Sequence, residues 1–241
     1  MRHNHLGQPI GDAVENWQPP DVPRRIELEG RFCRVVPLDP VPHAPALWEA
    51  YGTEVDPRNW TYLFHGPYAT KDEFNAWVRD AAGTVDPLFF AVIDRATGRA
   101  VGVAAYLRIA PAAGSIEVGH INFSPLLQRT PAATEAMYLM MRHAFALGYR
   151  RYEWKCDALN APSRAAAERL GLTFEGIFRQ ALVYKGRNRD SAWYAAIDKE
   201  WPALKAAFEQ WLAHDNFDED GRQRRRLSDL TRQALGRERQ E

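Results

Sequence analysis

Three strand-like segments separated by short turns, followed at once by a long helical pattern, are the feature that most constrains this chain. The segments are LFFAVID at 88–94, RAVGVAAYLRI at 99–109 and SIEVGHINF at 115–123. Short connections rich in turn residues join neighbouring strands in antiparallel fashion. The sequence therefore predicts a meander of three strands in the middle of the chain.

The pattern changes from strand to helix after this meander. PAATEAMYLMMRHAFALG, at 131–148, is rich in Ala, Leu and Met, begins at Pro131 and stops at Gly148. Proline is favoured at the first position of a helix, and glycine is favoured just past its end. We expect the longest helix of the chain here.

Strands and helices alternate on both sides of this unit. The second early helix opens with a capping box formed by Thr70 and Glu73. This order predicts an α/β fold in which helices flank a central mixed, mostly antiparallel sheet. The other predicted elements are strand 31–38, helices 39–51 and 70–82, strand 152–158, helix 163–171, a strand pair at 174–186 and 191–198, and helix 201–214.

The two ends of the chain differ from its middle in composition. Residues 1–25 hold four prolines and no periodic pattern, which predicts an extended arm. Residues 215–241 hold an acidic cluster, then a basic cluster and few apolar residues, which indicates a frayed helix or a disordered tail. The expected organisation is one folded domain over 26–214.

Charge and cysteine content exclude several classes of partner. Lys plus Arg equals Asp plus Glu at 31 each, so no overall field favours nucleic acid or an anionic membrane. The basic run at 221–226 follows acidic residues and lacks interleaved aromatics, which also argues against nucleic acid. Cys33 and Cys156 lie in apolar runs without metal-ligand spacing and are expected to be reduced packing residues.

No stretch of about 20 apolar residues occurs, so we expect no membrane partner and a cytoplasmic location. A homodimer through the arm or the last helix stays open.

The junction FSPLLQRTPAATEA joins the meander to the long helix. The first amides of a helix lack intrahelical partners and lie at the positive end of its dipole, where they can bind a phosphate. Small side chains at Ala132 and Ala133 let a ligand approach the backbone. Local chemistry thus predicts an anion site, and the alternative is that Pro131 simply starts a packing helix.

The stretch from SIEVGHINF through SRAAAERLGLTFEGIFRQ, followed by YKGRNRDSAWYAAIDKEWP, resembles the GNAT superfamily, in particular its Rim-type (RimJ- and RimL-like) branch. The resemblance covers about residues 27–200. It implies the GNAT fold and an N-acetyltransferase that uses acetyl-CoA and no metal. The implied acceptor is a primary amine, on either a protein N-terminus or a small molecule. The alternative is a coenzyme-binding regulatory or scaffold module without turnover.

The same resemblance implies where the coenzyme binds. Gln128 through Ala133 fall on the pyrophosphate loop of the family, although Pro131, which has no amide proton, replaces its first glycine. The strand at 115–123 is expected to part from the strand at 152–157 and admit the pantetheine arm. The implied coenzyme contacts are Phe123, Ser124, Gln128, Arg129, Thr130, Ala132, Ala133, Asn160 and Ser163.

Glu117 is the first candidate for a catalytic base. Strand alternation turns its side chain away from the face of Ile116 and Val118. By resemblance the position carries a base that acts directly or through water, and the alternative is a solvated glutamate. His120 is a second candidate, but it faces the other side of a regular strand unless a bulge intervenes, and a packing role is the alternative.

Ser163 is the candidate for protonating the leaving thiolate. The usual tyrosine acid of the family is missing, because Ala167 stands at its position. The alternatives are that Ser163 only caps the short helix and that Asn160 is a turn residue.

Acceptor recognition is assigned to the segment 56–68. Its aromatic residues Trp60, Tyr62 and Phe64 either form the wall of an acceptor site or close the core as a lid.

Overall fold

The computed structural model of the chain describes residues 1–52 and 56–237. Within these ranges the strands are β1 (Arg2–His3), β2 (Pro9–Ile10), β3 (Leu28–Glu29), β4 (Cys33–Pro37), β5 (Leu88–Asp94), β6 (Ala100–Ala110), β7 (Ser115–Phe123), β8 (Arg151–Asp157), β9 (Thr173–Tyr184) and β10 (Arg187–Ile197). The α-helices are α1 (Pro40–Tyr51), α2 (Lys71–Gly83), α3 (Pro131–Ala146), α4 (Ala161–Arg169), α5 (Trp201–Leu212) and α6 (Leu227–Ala234).

Eight strands form one mixed sheet in the order β3-β4-β5-β6-β7-β8-β10-β9. Neighbouring strands are antiparallel except for β7 and β8, which are parallel. Parallel neighbours require a crossover, and α3 provides it. The predicted fold class, a mostly antiparallel mixed sheet flanked by helices, is confirmed.

The two faces of the sheet carry separate cores. Ile116 and Val118 of β7 pack with residues of α3 on one face. Phe89 of β5 and Ala105 of β6 pack with residues of α1 and α2 on the other. Because side chains alternate along a strand, Glu117 points toward the α1 and α2 side of the sheet.

Segments on both sides of the sheet-forming region pack against it, around Trp17 and over α6. Trp17 of the N-terminal segment lies against Gly114, where a Cβ would come within 2.4 Å of the indole, and the Arg150 guanidinium lies 5.4 Å from the same indole. At the other end α6 packs on α5 and buries Leu227 and Leu230, so packed structure continues beyond 214. None of the helices in the described ranges has the length and apolar character needed to cross a membrane.

A buried carboxylate on α3 fixes the start of β4. Glu135 Oε1 accepts a hydrogen bond from the amide of Arg31 at 2.7 Å. Its Oε2 accepts from the amides of Phe32 at 2.6 Å and Cys33 at 2.9 Å. Gly30 fits beside it, because a Cβ there would lie 2.4 Å from Oε2. One side chain therefore satisfies three backbone amides and ties α3 to the sheet.

Replacing this carboxylate is expected to destabilise the fold strongly. Glu135→Ala leaves three amides without their acceptor, and we expect the free energy of unfolding to fall by about 3 kcal/mol in urea denaturation followed by circular dichroism. The exposed Glu219→Ala is the control and should stay within about 0.5 kcal/mol of the parent. Equal stability of the two variants would contradict the role given to Glu135.

Candidate active site

The two parallel strands β7 and β8 are paired over only part of their length. Their Cα partners run from Ser115 with Arg151 to Val118 with Trp154. Beyond that point residues 119–123 and 155–157 have no partners in each other. A gap therefore opens in the middle of the sheet, as the resemblance to the GNAT superfamily implied.

A bulge in β7 lies beside this gap. The register between β7 and β6 shifts by one residue between Gly119 and Asn122, and His120 has φ of 48°. Its ring lies 5.1 Å from that of Phe89, on the side of α1 and α2. The bulge overturns the parity expected for a regular strand, so His120 lies on the same face as Glu117. Such an extra residue also leaves backbone groups without a ladder partner.

Glu117 is buried, with 3% of its side chain exposed, and is held between two cations. Arg108 Nη1 donates to its Oε1 at 2.7 Å, and Lys155 Nζ lies 2.9 Å from its Oε2. Lys155 also donates to Glu153 at 2.7 Å and lies 3.7 Å from the centre of the Trp193 ring. Glu117 is therefore part of a paired charge network and not the solvated glutamate of the alternative reading.

The environment of Glu117 acts on its pKa in two directions. Burial raises the pKa, whereas the hydrogen bond from Lys155 and the charge of Arg108 oppose that rise. Both carboxylate oxygens contact a cation, so the side chain of Glu117 is oriented as well as buried.

The short helix α4 is capped by Asn160 and not by Ser163. Asn160 Oδ1 accepts from the amide of Ser163 at 3.2 Å. Trp154 Nε1 donates to Ser163 Oγ at 3.0 Å, which leaves the hydroxyl proton of Ser163 for another acceptor. Ala167 is fully buried in the core, and no hydroxyl comes from that position. Ser163 is thus free of capping and can act as a proton donor.

The start of α3 offers fewer amides than the loop of the family implies. Thr130 caps the helix, because its Oγ1 accepts from the amide of Ala133 at 3.2 Å. Pro131 follows and has no amide proton. In the described ranges the amides of Arg129 and Ala132 have no hydrogen-bond partner. An anion at this helix start would therefore meet those two amides and compete with Thr130 for the third.

The residues at the end of β7 differ in what they offer a coenzyme. Asn59 and Gln128 donate side-chain hydrogen bonds to the Phe123 carbonyl, at 2.9 and 2.7 Å. Because both donors are side chains, an amide of a ligand can replace one of them. The amide and carbonyl of Ser124 are both used by backbone partners. Its hydroxyl and Asn122 Nδ2 are buried without a partner in the described part of the chain. A polar ligand in the gap would find unsatisfied groups here.

The aromatic segment before α2 separates into core and surface. Trp60 is 1% exposed and packs with Tyr51 and Phe74, so it belongs to the core and offers no wall to an acceptor. Phe64 is 47% exposed, and its ring lies 6.3 Å from that of His120. Of the predicted wall residues, Tyr62 and Phe64 thus remain outside the core.

The same segment crosses the gap as a roof. Asn59 reaches Asn122 Oδ1 on β7 at 2.6 Å, and the Tyr62 hydroxyl donates to the Leu159 carbonyl after β8 at 3.3 Å. From the β9–β10 turn, Lys185 and Arg187 donate to carbonyls of Trp60 and Thr61, both at 2.8 Å. We call residues 59–65 the roof segment.

The sequence interpretation missed three cations of this site. Lys155 was detectable, because β8 alternates Tyr, Trp and Cys with charged residues on the side of Glu117. Arg108 lies near the end of the apolar strand β6 and gives no such signal. Arg189 of β10 also gives no signal in the sequence, because its surroundings depend on the roof segment.

Comparison with known proteins agrees with this architecture. Residues 35–173, more than half of the chain, match the family model described as an acetyltransferase (GNAT) domain. The chain therefore belongs to the GNAT family, and it is an N-acetyltransferase of that family, whose acetyl donor is acetyl-CoA.

Solved structures give the same assignment. A GCN5-related N-acetyltransferase from Brucella melitensis is 50% identical, with a TM-score of 0.88 over 90% of this chain and 99% of that one. A probable GNAT-family acetyltransferase from Chromobacterium violaceum is 38% identical, with a TM-score of 0.75 over 80% and 97%. RimL, a ribosomal L7/L12 alpha-N-protein acetyltransferase, is 21% identical with a TM-score of 0.61 over 71% and 94%, which shows the fold alone. No curated protein matches this chain.

The buried imidazole of His120 predicts a dependence of stability on pH. Burial, with smaller contributions from Arg108 and Arg189, lowers the pKa of His120 to about 4. Between that value and about 6.5 the unfolded chain binds a proton that the folded protein does not, so the free energy of unfolding falls as the pH falls. His120→Gln should reduce this fall by up to ~1.4 kcal/mol per pH unit.

Urea denaturation of parent and variant at pH 7, 6 and 5 measures this difference. His5→Gln, on the exposed N-terminal segment, is the control and should keep the slope of the parent. An unchanged slope in His120→Gln would contradict the expected burial of a neutral imidazole.

Proposed function

We propose that this enzyme transfers the acetyl group of acetyl-CoA directly to a primary amine while both substrates are bound. The observation that carries the proposal is the gap between β7 and β8. Glu117 lies on one face of the sheet beside the gap, and Ser163 contacts the last paired residue of β8. Acetyl donor and amine can thus meet between a proton acceptor and a proton donor.

The coenzyme is proposed to enter this gap from the start of α3. Its pyrophosphate would meet the Ala132 amide and the positive end of the helix dipole, with Arg129 and Thr130 alongside. The pantetheine amides would take over the Phe123 carbonyl from Gln128. Asn160 would flank the arm at the start of α4, whereas the backbone of Ser124 is already engaged and is a weaker candidate.

The proposed chemistry forms a carbon–nitrogen bond and breaks a carbon–sulfur bond. The amine nitrogen attacks the thioester carbonyl, and its proton passes through water to Glu117. Backbone groups freed by the bulge at His120 stabilise the charge that develops on the carbonyl oxygen. The thiolate leaves and takes its proton from Ser163, which regains a proton from solvent, and Glu117 releases the proton of the amine to solvent.

The alternative of a coenzyme-binding module without turnover disagrees with membership of an acetyltransferase family. That alternative predicts tight binding of acetyl-CoA without transfer to any amine. We further propose that the protein acts in the cytoplasm. Two classes of acceptor are proposed: small amines, and protein N-termini as for the Rim-type branch.

Substitution of Glu117 tests the proposed base. Glu117→Gln keeps the shape of the side chain but cannot accept a proton, so kcat should fall by about 10²- to 10⁴-fold. Acetyl-CoA affinity, measured by isothermal titration calorimetry, should stay near that of the parent. The readout is thiol release in a screen of small amines and N-terminal peptides.

Glu153→Gln is the matched control. It removes the other carboxylate that contacts Lys155 and perturbs the same charge network, but it leaves Glu117 in place. An equal loss of kcat in both variants would assign the effect to the network and would refute Glu117 as the base.

A further inference from the structure

Arg189 of β10 is a buried cation without an anionic partner in the described ranges. Its residue is 6% exposed, and no carboxylate within residues 1–52 and 56–237 lies within 4 Å of the guanidinium. Its Nε donates to Ser191 Oγ at 3.2 Å. The two terminal nitrogens make no hydrogen bond to a described residue. Arginine is rarely buried unless it is paired, so this arrangement needs an explanation.

Aromatic rings hold this guanidinium in place. Its Cζ lies 5.2 Å from the centre of the Phe64 ring and 5.7 Å from that of Tyr184. Tyr184 is itself fixed, because its hydroxyl donates to Asp157 Oδ2 at 2.7 Å. Cation–π contacts compensate part of the lost hydration and leave the terminal N–H groups unused. The fork of Arg189 is therefore oriented before any ligand arrives.

The other cations of the site are already paired. Arg108 and Lys155 both contact Glu117, and Lys155 contacts Glu153 as well. Among these three, Arg189 is the one that contacts no carboxylate in the described part of the chain. We call the side of the gap that carries Glu117 and His120 the acceptor side. An anion that enters the gap on this side would therefore be bound by Arg189.

Arg189 faces the acceptor side of the gap. Phe64, which contacts its guanidinium, also lies 6.3 Å from His120 at the bulge in β7. One aromatic ring thus lies between the free guanidinium and the strand that carries Glu117. The roof segment covers this space, because Asn59 at its start bonds to β7 and the His65 carbonyl at its end accepts from Lys185 of the β9–β10 turn. Such a covered space fits a small acceptor better than a folded protein.

We infer that the acceptor is a small amine that carries a carboxylate, and that Arg189 binds this carboxylate. The planar fork of a guanidinium matches the two oxygens of a carboxylate. This inference rests on the proposed acetyl transfer and narrows its acceptor class to amino-acid-like amines. The amine nitrogen then lies toward Glu117 while the carboxylate is anchored under Phe64.

Paired acceptors test the inference. Each α-amino acid is compared with its α-carboxamide, in which the amine is kept and the charge is lost, and peptides with an acidic second residue form a third arm. Thiol release gives kcat/KM for each. For the preferred side chain the parent should favour the carboxylate over the amide by about tenfold or more.

Substitutions of Arg189 test whether this residue causes the preference for the carboxylate over the amide. Arg189→Gln should abolish it through KM while acetyl-CoA affinity is retained, and Arg189→Lys, which keeps the charge but not the fork, should retain part of it. Arg179→Gln, an exposed arginine of the same hairpin, is the matched control and should behave as the parent. Equal use of acids and amides by the parent, or turnover of acidic peptides alone, would overturn the inference and leave acetyl transfer intact.

Direct binding separates the inference from turnover. Amino acids are titrated into the complex with acetyl-CoA and followed by calorimetry. Binding that Arg189→Gln removes, without any transfer, would support the carboxylate site and count against the proposed activity. Absence of binding to the parent complex would refute the carboxylate site.

Discussion

The parting of β7 from β8 is the constraint on which the rest of the structure depends. Two parallel strands that separate inside a sheet lose ladder hydrogen bonds, and buried backbone groups need other partners. The bulge at His120, where the register of β7 against β6 shifts by one residue, lies just beyond the last pair that β7 forms with β8. Asn59 and Gln128 satisfy the Phe123 carbonyl at the open end. The gap is therefore built into the fold and does not require a ligand to form.

Electrostatics on the acceptor face follow from the register of these strands. Glu117 of β7 is the direct partner of Glu153 of β8, and two like charges so placed repel each other. Lys155 lies between them and contacts both carboxylates, while Arg108 holds the far side of Glu117. A paired network can stay buried where a single carboxylate would not. The same pairing fixes the orientation of Glu117 toward the gap.

Local patterns in the sequence were sufficient for most of the fold but only for part of the site. The predicted strands 88–94 and 115–123 coincide with β5 and β7, and the Thr70 capping box is present, because these features depend on neighbouring residues. The side of the sheet on which His120 lies depends on a bulge. The contacts of Arg108 and Lys155 with Glu117 depend on the register between strands that are distant in the sequence. Trp60 also shows this limit, since its burial is decided by packing against α1 and α2.

The roof segment links the two substrate sides of the gap. Asn59 contacts Asn122 and the Phe123 carbonyl, where the coenzyme arm is proposed to bind, and Phe64 contacts Arg189 five residues later. A coenzyme that takes over the Phe123 carbonyl would remove one attachment of Asn59 but leave its bond to Asn122. Lys185 and Arg187 hold the carbonyls of Trp60, Thr61 and His65, and these bonds are not in competition with the coenzyme. The acceptor side would thus keep its shape while the coenzyme enters. Arg189 and Phe64 would then already be in position when the amine binds.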